Sequence, residues 1–328
     1  MPHVSVIIPN WNGAHVLDAA LGSVRRQTRP ADEIIVVDNG STDHSLTIAK
    51  SAGAKTIELS RNVGFCGAVN AGIRSATTAD WIVILNNDVV LSEEWLATLL
   101  SGATARDAWF ATGKLIASDR PTHLDGAWDA ICRGACAWRC GTERADGPAW
   151  NTERVIRFAP FTAAVFRAGL FQRVGLLDDA FESYLEDVDF GIRCATKGYN
   201  GVYLPDATAS HRGSATLGRW HKDTVRRISR NQVLLVARHF PRRWIVRYGW
   251  PVFVGQALWG LLALRHGAGF AYVKGKLEGM HRFRQLRKKT TPVNGALFDI
   301  LRESENEIHE LQRQTGFDLY WRLYFALT

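Results

Sequence analysis

Three features of this sequence predict an α/β protein, with helices on both faces of a mostly parallel sheet and a helical C-terminal region that associates with membranes. Short apolar runs alternate with helical patterns in the first third of the chain, as in parallel sheets. Polar side chains follow several of these runs, and a basic, Trp-rich stretch comes later. We expect residues 1–240 to form the α/β domain, with an insertion at 118–151. Residues 241–328 would be helical, and a polar helix at 301–311 would pack back or mediate self-association.

The predicted elements follow from local patterns. Val4 to Pro9 is an apolar strand that a proline stops. The helix after it has Leu17 and Val24 at helical spacing. Ser92 is the predicted cap of the helix that follows the fourth strand. Further strands are predicted at residues 33–37, 55–59, 81–85 and 201–205.

The predicted strand ends carry the first candidate site residues. Asn10 and Asn12 follow the first strand, Asp38 follows the second and Asp88 follows the fourth. Ligands of open α/β sheets bind at the carboxyl ends of strands, so we expect these side chains at the rim of a site. The alternative for each of them is a turn residue or a helix cap.

A second polar cluster begins a predicted helix. Glu186, Asp187 and Asp189 fall in its first turn, where the helix dipole favours acids. Asp189 can also pair with Arg193, four residues further on. An acidic helix start with no further role is the alternative. His211 ends a short extended run, a position where a histidine is usually a surface residue.

Asp88, Asp187 and His211 come from separate strand and helix ends that a parallel sheet would bring to one edge. A carboxylate and an imidazole leave Mg²⁺ or Mn²⁺ with open positions for phosphate oxygens. Such a metal offsets the charge of a leaving diphosphate. Asp187 would then be free to accept a proton from an attacking hydroxyl. This chemistry predicts transfer of a group from a diphosphate to an alcohol.

Composition and charge limit the possible functions. With 46% hydrophobic and 22% charged residues, the chain has a globular composition. From Arg219 to Lys289 only Asp223 and Glu278 are acidic, and this basic, Trp-rich region suits an anionic membrane surface. Nucleic acid is not expected, because no recognised nucleic-acid-binding fold or motif accompanies the charge. A nicotinamide oxidoreductase is disfavoured, because no Gly-x-Gly-x-x-Gly motif follows the first strand.

Cysteine content and the first residues indicate the compartment. Five cysteines do not suggest a disulfide framework, and Met1 leads directly into a strand pattern. We therefore expect a cytoplasmic protein, peripheral on the inner face of the cell membrane. The charge-free stretch from Tyr248 to Leu264 favours a helix in or on the membrane, with internal packing as the alternative. Cys132, Cys136 and Cys140 would share a face if helical and could hold a metal, but packing or loop cysteines are favoured.

Several segments of the chain match a known family both in sequence and in order. They are residues 4–13, 36–43, 62–65 with Asn70, 85–88, 186–189, His211 with Ser214, and the pair Arg230 and Asn231. In these segments, which extend over residues 4–231, the chain resembles family 2 glycosyltransferases of the GT-A fold, particularly the bacterial rhamnosyltransferase-like branch.

The resemblance implies a role for each matching residue. The nucleotide- and donor-binding residues would be Pro9, Asn12, Asp38, Asn62, Gly64, Asn70, Asn87 and Asp88. Asp88 and His211 would hold Mg²⁺ or Mn²⁺, while Glu186 and Arg230 would support the acceptor side, where the 118–151 insertion would lie. Asp187 would be the catalytic base that deprotonates an acceptor hydroxyl for in-line attack, which predicts inversion.

The chain departs from the family pattern at two positions. Asn86 stands where the Asp-x-Asp motif has its first acid, so Asp88 would be the only carboxylate on the metal. Thr162 stands where the family often has glycine, and it would narrow or reshape the sugar pocket.

The resemblance also implies the substrates. The donor would be a nucleotide-diphospho-sugar, with dTDP-rhamnose as the specific expectation and a UDP-linked hexose as the alternative. The acceptor would be a glycan or a lipid-linked molecule. A non-catalytic nucleotide-sugar-binding membrane scaffold is the alternative outside the enzymes, and the set of Asp88, Asp187 and His211 argues against it.

Overall fold

The computed structural model describes residues 2–212, 220–247, 249–289 and 296–328. The chain divides into two compact units, Met1–Trp128 with Gly141–Gly213 and Asp129–Cys140 with Ser214–Thr328. This division differs from the boundary expected after residue 240. The predicted domains, and the acceptor-side position of the 118–151 insertion, stay predictions.

The elements are numbered along the chain. The strands are β1 (Val4–Asn10), β2 (Glu33–Asp38), β3 (Lys55–Glu58), β4 (Trp81–Leu85), β5 (Val89–Leu91), β6 (Phe110–Ala117), β7 (Leu124–Gly126), β8 (Asp129–Ile131), β9 (Ala137–Arg139), β10 (Arg154–Ile156), β11 (Ala163–Arg167) and β12 (Gly201–His211). The helices are α1 (Ala14–Arg25), α2 (Ser45–Ser51), α3 (Gly64–Ser75), α4 (Trp95–Ala105), α5 (Ala168–Val174), α6 (Glu186–Ala195), α7 (Lys222–His239), α8 (Arg242–Arg247), α9 (Gly249–Arg265), α10 (Gly269–Lys289), α11 (Ala296–Thr315) and α12 (Leu319–Leu327). The first four predicted strands are confirmed to within one residue at each end.

The first unit is built on one sheet, in the order β10-β12-β6-β11-β4-β1-β2-β3, with β5 beside β12 and β7 beside β6. Strands β1 to β4 are parallel, but β11 lies antiparallel between β4 and β6. The sheet is therefore mixed, with four parallel and five antiparallel pairings, whereas the sequence predicted a mostly parallel one. For two consecutive strands to be parallel neighbours, the connection between them must return the chain to the end of the sheet where the first strand began, usually through a helix. The fully described stretch between Ala117 and Ala163 contains no α-helix to make one.

Helices cover both faces of this sheet, as predicted, because successive residues of a strand point to opposite faces. On one face, Ile8 of β1 shares a core with Leu17 of α1 and Leu99 of α4. On the other face, α3 lies so close that a Cβ on Gly72 would be 2.4 Å from Cγ2 of Ile7. Gly72 therefore permits the close packing of α3 on the central strand.

The helix after β5 begins later than predicted. Helix α4 starts at Trp95, after Glu94, so Ser92 lies outside it and the predicted cap is wrong. The backbone of Ser92 has other partners: its N–H donates to the carbonyl of Thr208, and its carbonyl accepts from Gln27 Nε2 at 2.7 Å. Ser92 follows β5 directly, and the short strand displaces the helix start along the chain.

Strand β12 merges the strand predicted at 201–205 with the extended run before His211. Its pairing with β6 shifts register between Tyr203 and Thr208. Pro205 lies within this shift, where a residue without an N–H is tolerated. Beyond it the parallel pairing resumes and places His211 opposite Ala117. The irregular strand thus delivers His211 to the end of β6.

The second unit contains α7 to α12 and the β8–β9 hairpin. Helices α7 and α10 approach closely, since a Cβ on Gly275 would be 2.2 Å from the Arg226 carbonyl oxygen. The helix predicted at residues 301–311 lies within α11, and its role in self-association stays a prediction. None of the helices in the described residues combines the length and apolar character needed to cross a membrane.

Cys132, Cys136 and Cys140 do not share a helix face. They lie on and beside the β8–β9 hairpin, where the N–H of Cys132 donates to the carbonyl of Cys136 at 3.1 Å. All three are buried thiols that form no disulfide among the described residues. The alternative of a helical metal-binding face is therefore wrong, and these cysteines are packing residues of a hairpin.

Candidate active site

Strand pairing brings the two predicted metal ligands together. Val89, directly after Asp88, is the register partner of His211 in the pairing of β5 with β12. Asp88 Oδ1 lies 3.2 Å from His211 Nε2, with 11% and 9% of the two side chains exposed. Two residues distant in the chain therefore face each other because their strands are neighbours.

Asp125 of β7, which the sequence did not single out, completes this group. Its Oδ2 lies 2.7 Å from the other ring nitrogen of His211, Nδ1. Burial lowers the pKa of His211, but hydrogen bonds and charges from Asp125 and Asp88 outweigh burial and raise the pKa to about 9. Asp125 lies in the aperiodic 118–151 segment, where no strand ending or motif marks it. Only the pairing of β7 with β6 could have revealed it.

Asp88 and His211 fit a shared divalent cation. Two ligands at right angles, each about 2.1 Å from Mg²⁺, lie about 3 Å apart. This is close to the 3.2 Å that separates Asp88 Oδ1 from His211 Nε2. In the described part of the chain, no three His, Cys, Asp or Glu side chains are grouped to hold an ion by themselves. A cation here would take its remaining ligands from water or from a bound phosphate group.

Asn10 links the end of β4 to the end of β2. Asn87 Nδ2 donates to Asn10 Oδ1 at 2.7 Å, and Asn10 Nδ2 donates to Asp38 Oδ1 at 3.4 Å. Asn10 and Asp38 are register partners in the parallel pairing of β1 with β2. Parallel register therefore places these polar side chains at one edge of the sheet, as the sequence predicted for its strand ends.

Asn12 and Asp38 also organise the turns in which they lie. Asn12 Oδ1 accepts a hydrogen bond from the N–H of Thr42 at 2.8 Å, and the N–H of Asn12 donates to Ser41 Oγ at 2.9 Å. Asp38 Oδ2 accepts from the N–H of Ser41 at 3.1 Å. Pro9 lies half-buried near the end of β1. Contacts of these residues with a nucleotide stay a prediction.

Asn62 and Gly64 lie at the start of α3, beside the end of β2. Asn39 Oδ1 accepts from the N–H of Val63 at 2.9 Å, and Asn39 Nδ2 donates to Asn62 Oδ1 at 3.2 Å. Gly64 has a φ of 84°, and a Cβ there would be 2.8 Å from the carbonyl oxygen of Glu182. Both its backbone conformation and this close approach require glycine.

A loop at residues 182–185 packs against the start of α3 and leads into α6. The N–H of Cys66 donates to the carbonyl of Glu182 at 3.0 Å. Glu182, Tyr184 and Leu185 have positive φ values of 59°, 72° and 64°. Each such value costs a non-glycine residue on the order of 1–3 kcal/mol, and strain of this kind clusters at functional sites.

Helix α6 carries the predicted catalytic base. Glu186, Asp187 and Asp189 occupy its first turn, as predicted. Asp187 is half-buried, and its Oδ1 accepts from the N–H of Val188 at 2.8 Å. Asp189 is fully buried and accepts from Arg193 Nε at 3.0 Å, which confirms the predicted pair. Asp187 is therefore the more accessible of these two aspartates.

Asn70 and Arg230 have structural partners. The buried amide of Asn70 donates to the carbonyl of Leu177 at 2.9 Å and accepts from its N–H at 3.0 Å. Arg230 belongs to the second unit, where it is buried and its Nε donates to Asn231 Oδ1 at 2.9 Å. The donor contact of Asn70 and the acceptor role of Arg230 stay predictions. Ser214 lies outside the described residues.

The two departures from the family pattern are neighbours in space. The N–H of Asn86 donates to the carbonyl of Thr162 at 2.8 Å, and Thr162 is buried. The antiparallel pairing of β11 with β4 makes this contact, because Leu85 and Ala163 are register partners. Thr162 therefore lies beside the segment that ends in Asp88.

Solved structures define the class of fold. GalNAc-T7, solved with UDP, GalNAc and Mn²⁺, matches with a TM-score of 0.64 at 14% identity, over 96% of this chain and 58% of its own. The mannosyltransferase PcManGT from Pyrobaculum calidifontis, solved with GDP-Man and Mn²⁺, matches with a TM-score of 0.54 at 16% identity. That match covers 99% of this chain and 86% of PcManGT. The fold is of the GT-A type.

The sequence assigns the family. Residues 5–173 match glycosyl transferase family 2, and the chain belongs to this family. It is 25% identical to the N-acetylglucosaminyl-diphospho-decaprenol L-rhamnosyltransferase of Mycobacterium tuberculosis, over 72% of this chain and 86% of that protein. It is 33% identical to a PGL/p-HBAD biosynthesis glycosyltransferase of Mycobacterium bovis, over 59% and 70%. The predicted family and its rhamnosyltransferase-like branch are confirmed.

Substituting Gly64 should test how the 182–185 loop is held. We expect Gly64→Ala to lower the free energy of unfolding by about 1–3 kcal/mol more than Gly198→Ala. Both glycines have positive φ, 84° and 80°, but only Gly64 has the backbone of Glu182 within reach of a new Cβ. Denaturant unfolding of the two variants measures the difference, and hydrogen exchange should rise at residues 182–189 in Gly64→Ala alone. Equal losses of stability would show that the approach of Glu182 is not a constraint.

Proposed function

We propose that this chain is an inverting glycosyltransferase that moves a sugar from a nucleotide-diphospho-sugar to a hydroxyl of a lipid-linked or cell-surface glycan. A continuous row of polar side chains along one edge of the sheet supports this proposal. By contact or chain neighbourhood, the row runs through His211, Asp88, Asn87, Asn10, Asp38, Asn39 and Asn62. The backbone of Gly64 and the 182–185 loop continue it to Asp187. One end of the row has Asp88 and His211, a pair of side chains suited to bind a metal. The other end has the acidic first turn of α6, and a transfer of this kind needs both parts.

The ligand pair is the proposed diphosphate end. A bound Mg²⁺ or Mn²⁺ would offset the negative charge of the leaving diphosphate. Asp88 and His211 are the residues that would hold it, and their 3.2 Å separation supports this assignment. Asn86 contributes no carboxylate, so the donor diphosphate itself would complete the coordination. The two structural neighbours named above were solved with Mn²⁺.

Asp187 is the proposed base. It would accept the proton of the acceptor hydroxyl as that oxygen bonds to the anomeric carbon and the bond from this carbon to the diphosphate breaks. Attack from the side opposite the leaving group inverts the anomeric centre without a covalent sugar–enzyme intermediate. The half-buried position of Asp187 supports this role, and the buried Glu186 beside it is the proposed support for the acceptor.

Replacing Asp187 by asparagine should separate catalysis from binding. We expect transfer to fall by about 10²–10⁴-fold, because an amide cannot accept the proton. Nucleotide affinity should change little, since the amide keeps the shape of the side chain. The control is Asp206→Asn, the same change at an exposed position of β12, which should leave both quantities unaltered. Turnover retained in Asp187→Asn would remove Asp187 from its proposed role.

The proposed donor is dTDP-L-rhamnose, with a UDP-linked hexose as the alternative. The L-rhamnosyltransferase name of the Mycobacterium tuberculosis relative supports this choice. Binding to the folded state alone raises the melting temperature according to affinity. In a thermal-shift panel of nucleotide sugars with Mn²⁺, dTDP-rhamnose should give the largest shift, and Asp88→Ala should reduce it. A larger rise in melting temperature with a UDP-hexose than with dTDP-rhamnose would favour the UDP-hexose as the donor.

An anionic membrane surface is the proposed partner of the second unit, which would place the protein on the cytoplasmic face of the membrane. Helices α9 and α10 expose large apolar side chains three and four residues apart, including Phe270 at 85% and Leu277 at 67% exposure. The members of this exposed apolar stripe are Trp250, Phe253, Leu261, Leu264, Phe270, Val273, Leu277 and Met280. Lys274, Arg284 and Lys288 are exposed on α10 beside it. Apolar residues flanked by basic ones suit an interfacial helix on anionic lipid.

Charge-matched variants of α10 should test this surface. We expect the double variant Phe270→Glu with Leu277→Glu to bind vesicles containing anionic phosphatidylglycerol at least about tenfold more weakly than the wild type, because it removes apolar area that the bilayer would bury. The control is His281→Glu with Gln285→Glu, which adds the same charge at exposed polar positions of the same helix. Vesicle sedimentation measures both. Equal weakening in the two variants would leave only a charge effect and would contradict insertion of the stripe.

A further inference from the structure

Asp125 is the extra residue of a β-bulge. Strand β7 pairs antiparallel with β6, with Leu115 opposite Gly126 and Ile116 opposite Leu124. The pairing therefore advances one residue on β6 and two on β7, and Asp125 is the inserted residue. A bulge turns a side chain out of the regular alternation of its strand and is frequent beside active sites. The side chain of Asp125 is thereby aimed at a ring on another strand.

That ring is the imidazole of His211. Asp125 Oδ2 is 2.7 Å from Nδ1, and Asp88 Oδ1 is 3.2 Å from Nε2. A metal-binding histidine usually donates the N–H of its other nitrogen to a carboxylate, which fixes both the tautomer and the plane of the ring. With the N–H of Nδ1 directed at Asp125, Nε2 faces the side where Asp88 lies, and a cation bound there would take the place of the Nε2 proton.

The sheet alone does not fix this arrangement. Strand pairing places the backbone of His211 opposite Val89 on one side and Ala117 on the other. These pairings set the position of Cα but leave the ring free to rotate about two side-chain bonds. The contact with Asp125, whose side chain is 23% exposed, restrains the ring at Nδ1, the nitrogen that does not face Asp88.

We propose that Asp125 is a positioning residue that orients His211 for the divalent cation it would share with Asp88. This inference rests on the metal site of the proposed function. It also gives the 118–151 segment a role that the sequence did not predict, because β7 supplies a residue that acts on the metal side of the site. Asp125 itself would not touch the cation or the substrates.

Mn²⁺ binding to the whole chain, followed by the electron paramagnetic resonance signal of free Mn²⁺, tests this role without turnover. We expect Asp125→Ala to weaken Mn²⁺ binding by about 10–100-fold, as is typical for loss of such a partner. Asp125→Asn should have a smaller effect, since its side-chain oxygen can still accept the hydrogen bond from Nδ1. The control is Asp119→Ala, a change of an exposed aspartate in the same segment, which should bind like the wild type.

A double-mutant comparison separates positioning from a general structural effect. If Asp125 acts only through the imidazole, Asp125→Ala should weaken Mn²⁺ binding in the wild type but cause no further loss in a His211→Ala background. An equal loss in both backgrounds would overturn the inference and indicate a structural role of the segment. Wild-type affinity in Asp125→Ala, with weakened binding in Asp88→Ala, would overturn the inference but keep the metal site. Unchanged binding in Asp88→Ala would reject the metal site itself and this inference with it.

Discussion

The amide side chain of Asn10 is the interaction on which the polar edge of the sheet depends. Its oxygen accepts from Asn87 beyond β4, and its nitrogen donates to Asp38 at the end of β2 and to Ser41 beyond that strand. Asn10 is only 2% exposed, so a lost partner would leave a buried polar group at a cost of about 1–3 kcal/mol. A Cβ on Gly13 would lie 2.2 Å from Asn87 Nδ2 and 2.4 Å from Asn10 Oδ1, which shows how little space surrounds this pair. The strand ends are therefore held together as one network.

The strained 182–185 loop extends this network to the proposed base. Three left-handed residues in four positions are unfavourable for the isolated chain. They are retained because the start of α3 and the buried amide of Asn70 bind the chain on both sides of the 3-10 turn at Asp179–Phe181. The result is that the first turn of α6 begins at a defined place beside the proposed nucleotide-binding edge. Asn70 thus connects α3 to the segment that leads to α6, because its amide bonds both backbone groups of Leu177.

The sequence predicts those parts of the fold that local patterns determine. Asp38 and Asp88 could be placed at strand ends because the apolar runs before them are short, regular and bounded by polar residues. The antiparallel direction of β11 could not be predicted, since it depends on how the aperiodic segment before it returns to the sheet. Asp125 could not be found for a related reason. Its contact with His211 arises from a shift of register between two strands, and a register is a property of a pair that no single run of residues displays.

In the second unit, α9 and α10 have a buried polar centre in addition to apolar side chains on their exposed side. Inside, Lys276 Nζ donates to Gln232 Oε1 at 2.7 Å and also bonds Gln256, and burial lowers the pKa of Lys276 to about 7 despite the opposing charge of Cys136. Outside, the exposed apolar stripe faces away from this polar centre. Exposed large apolar side chains that recur along a helix face are a common sign of an interaction surface. Because the polar groups already occupy the interior, the stripe cannot turn inward without breaking their hydrogen bonds, and this favours an external apolar partner over internal packing.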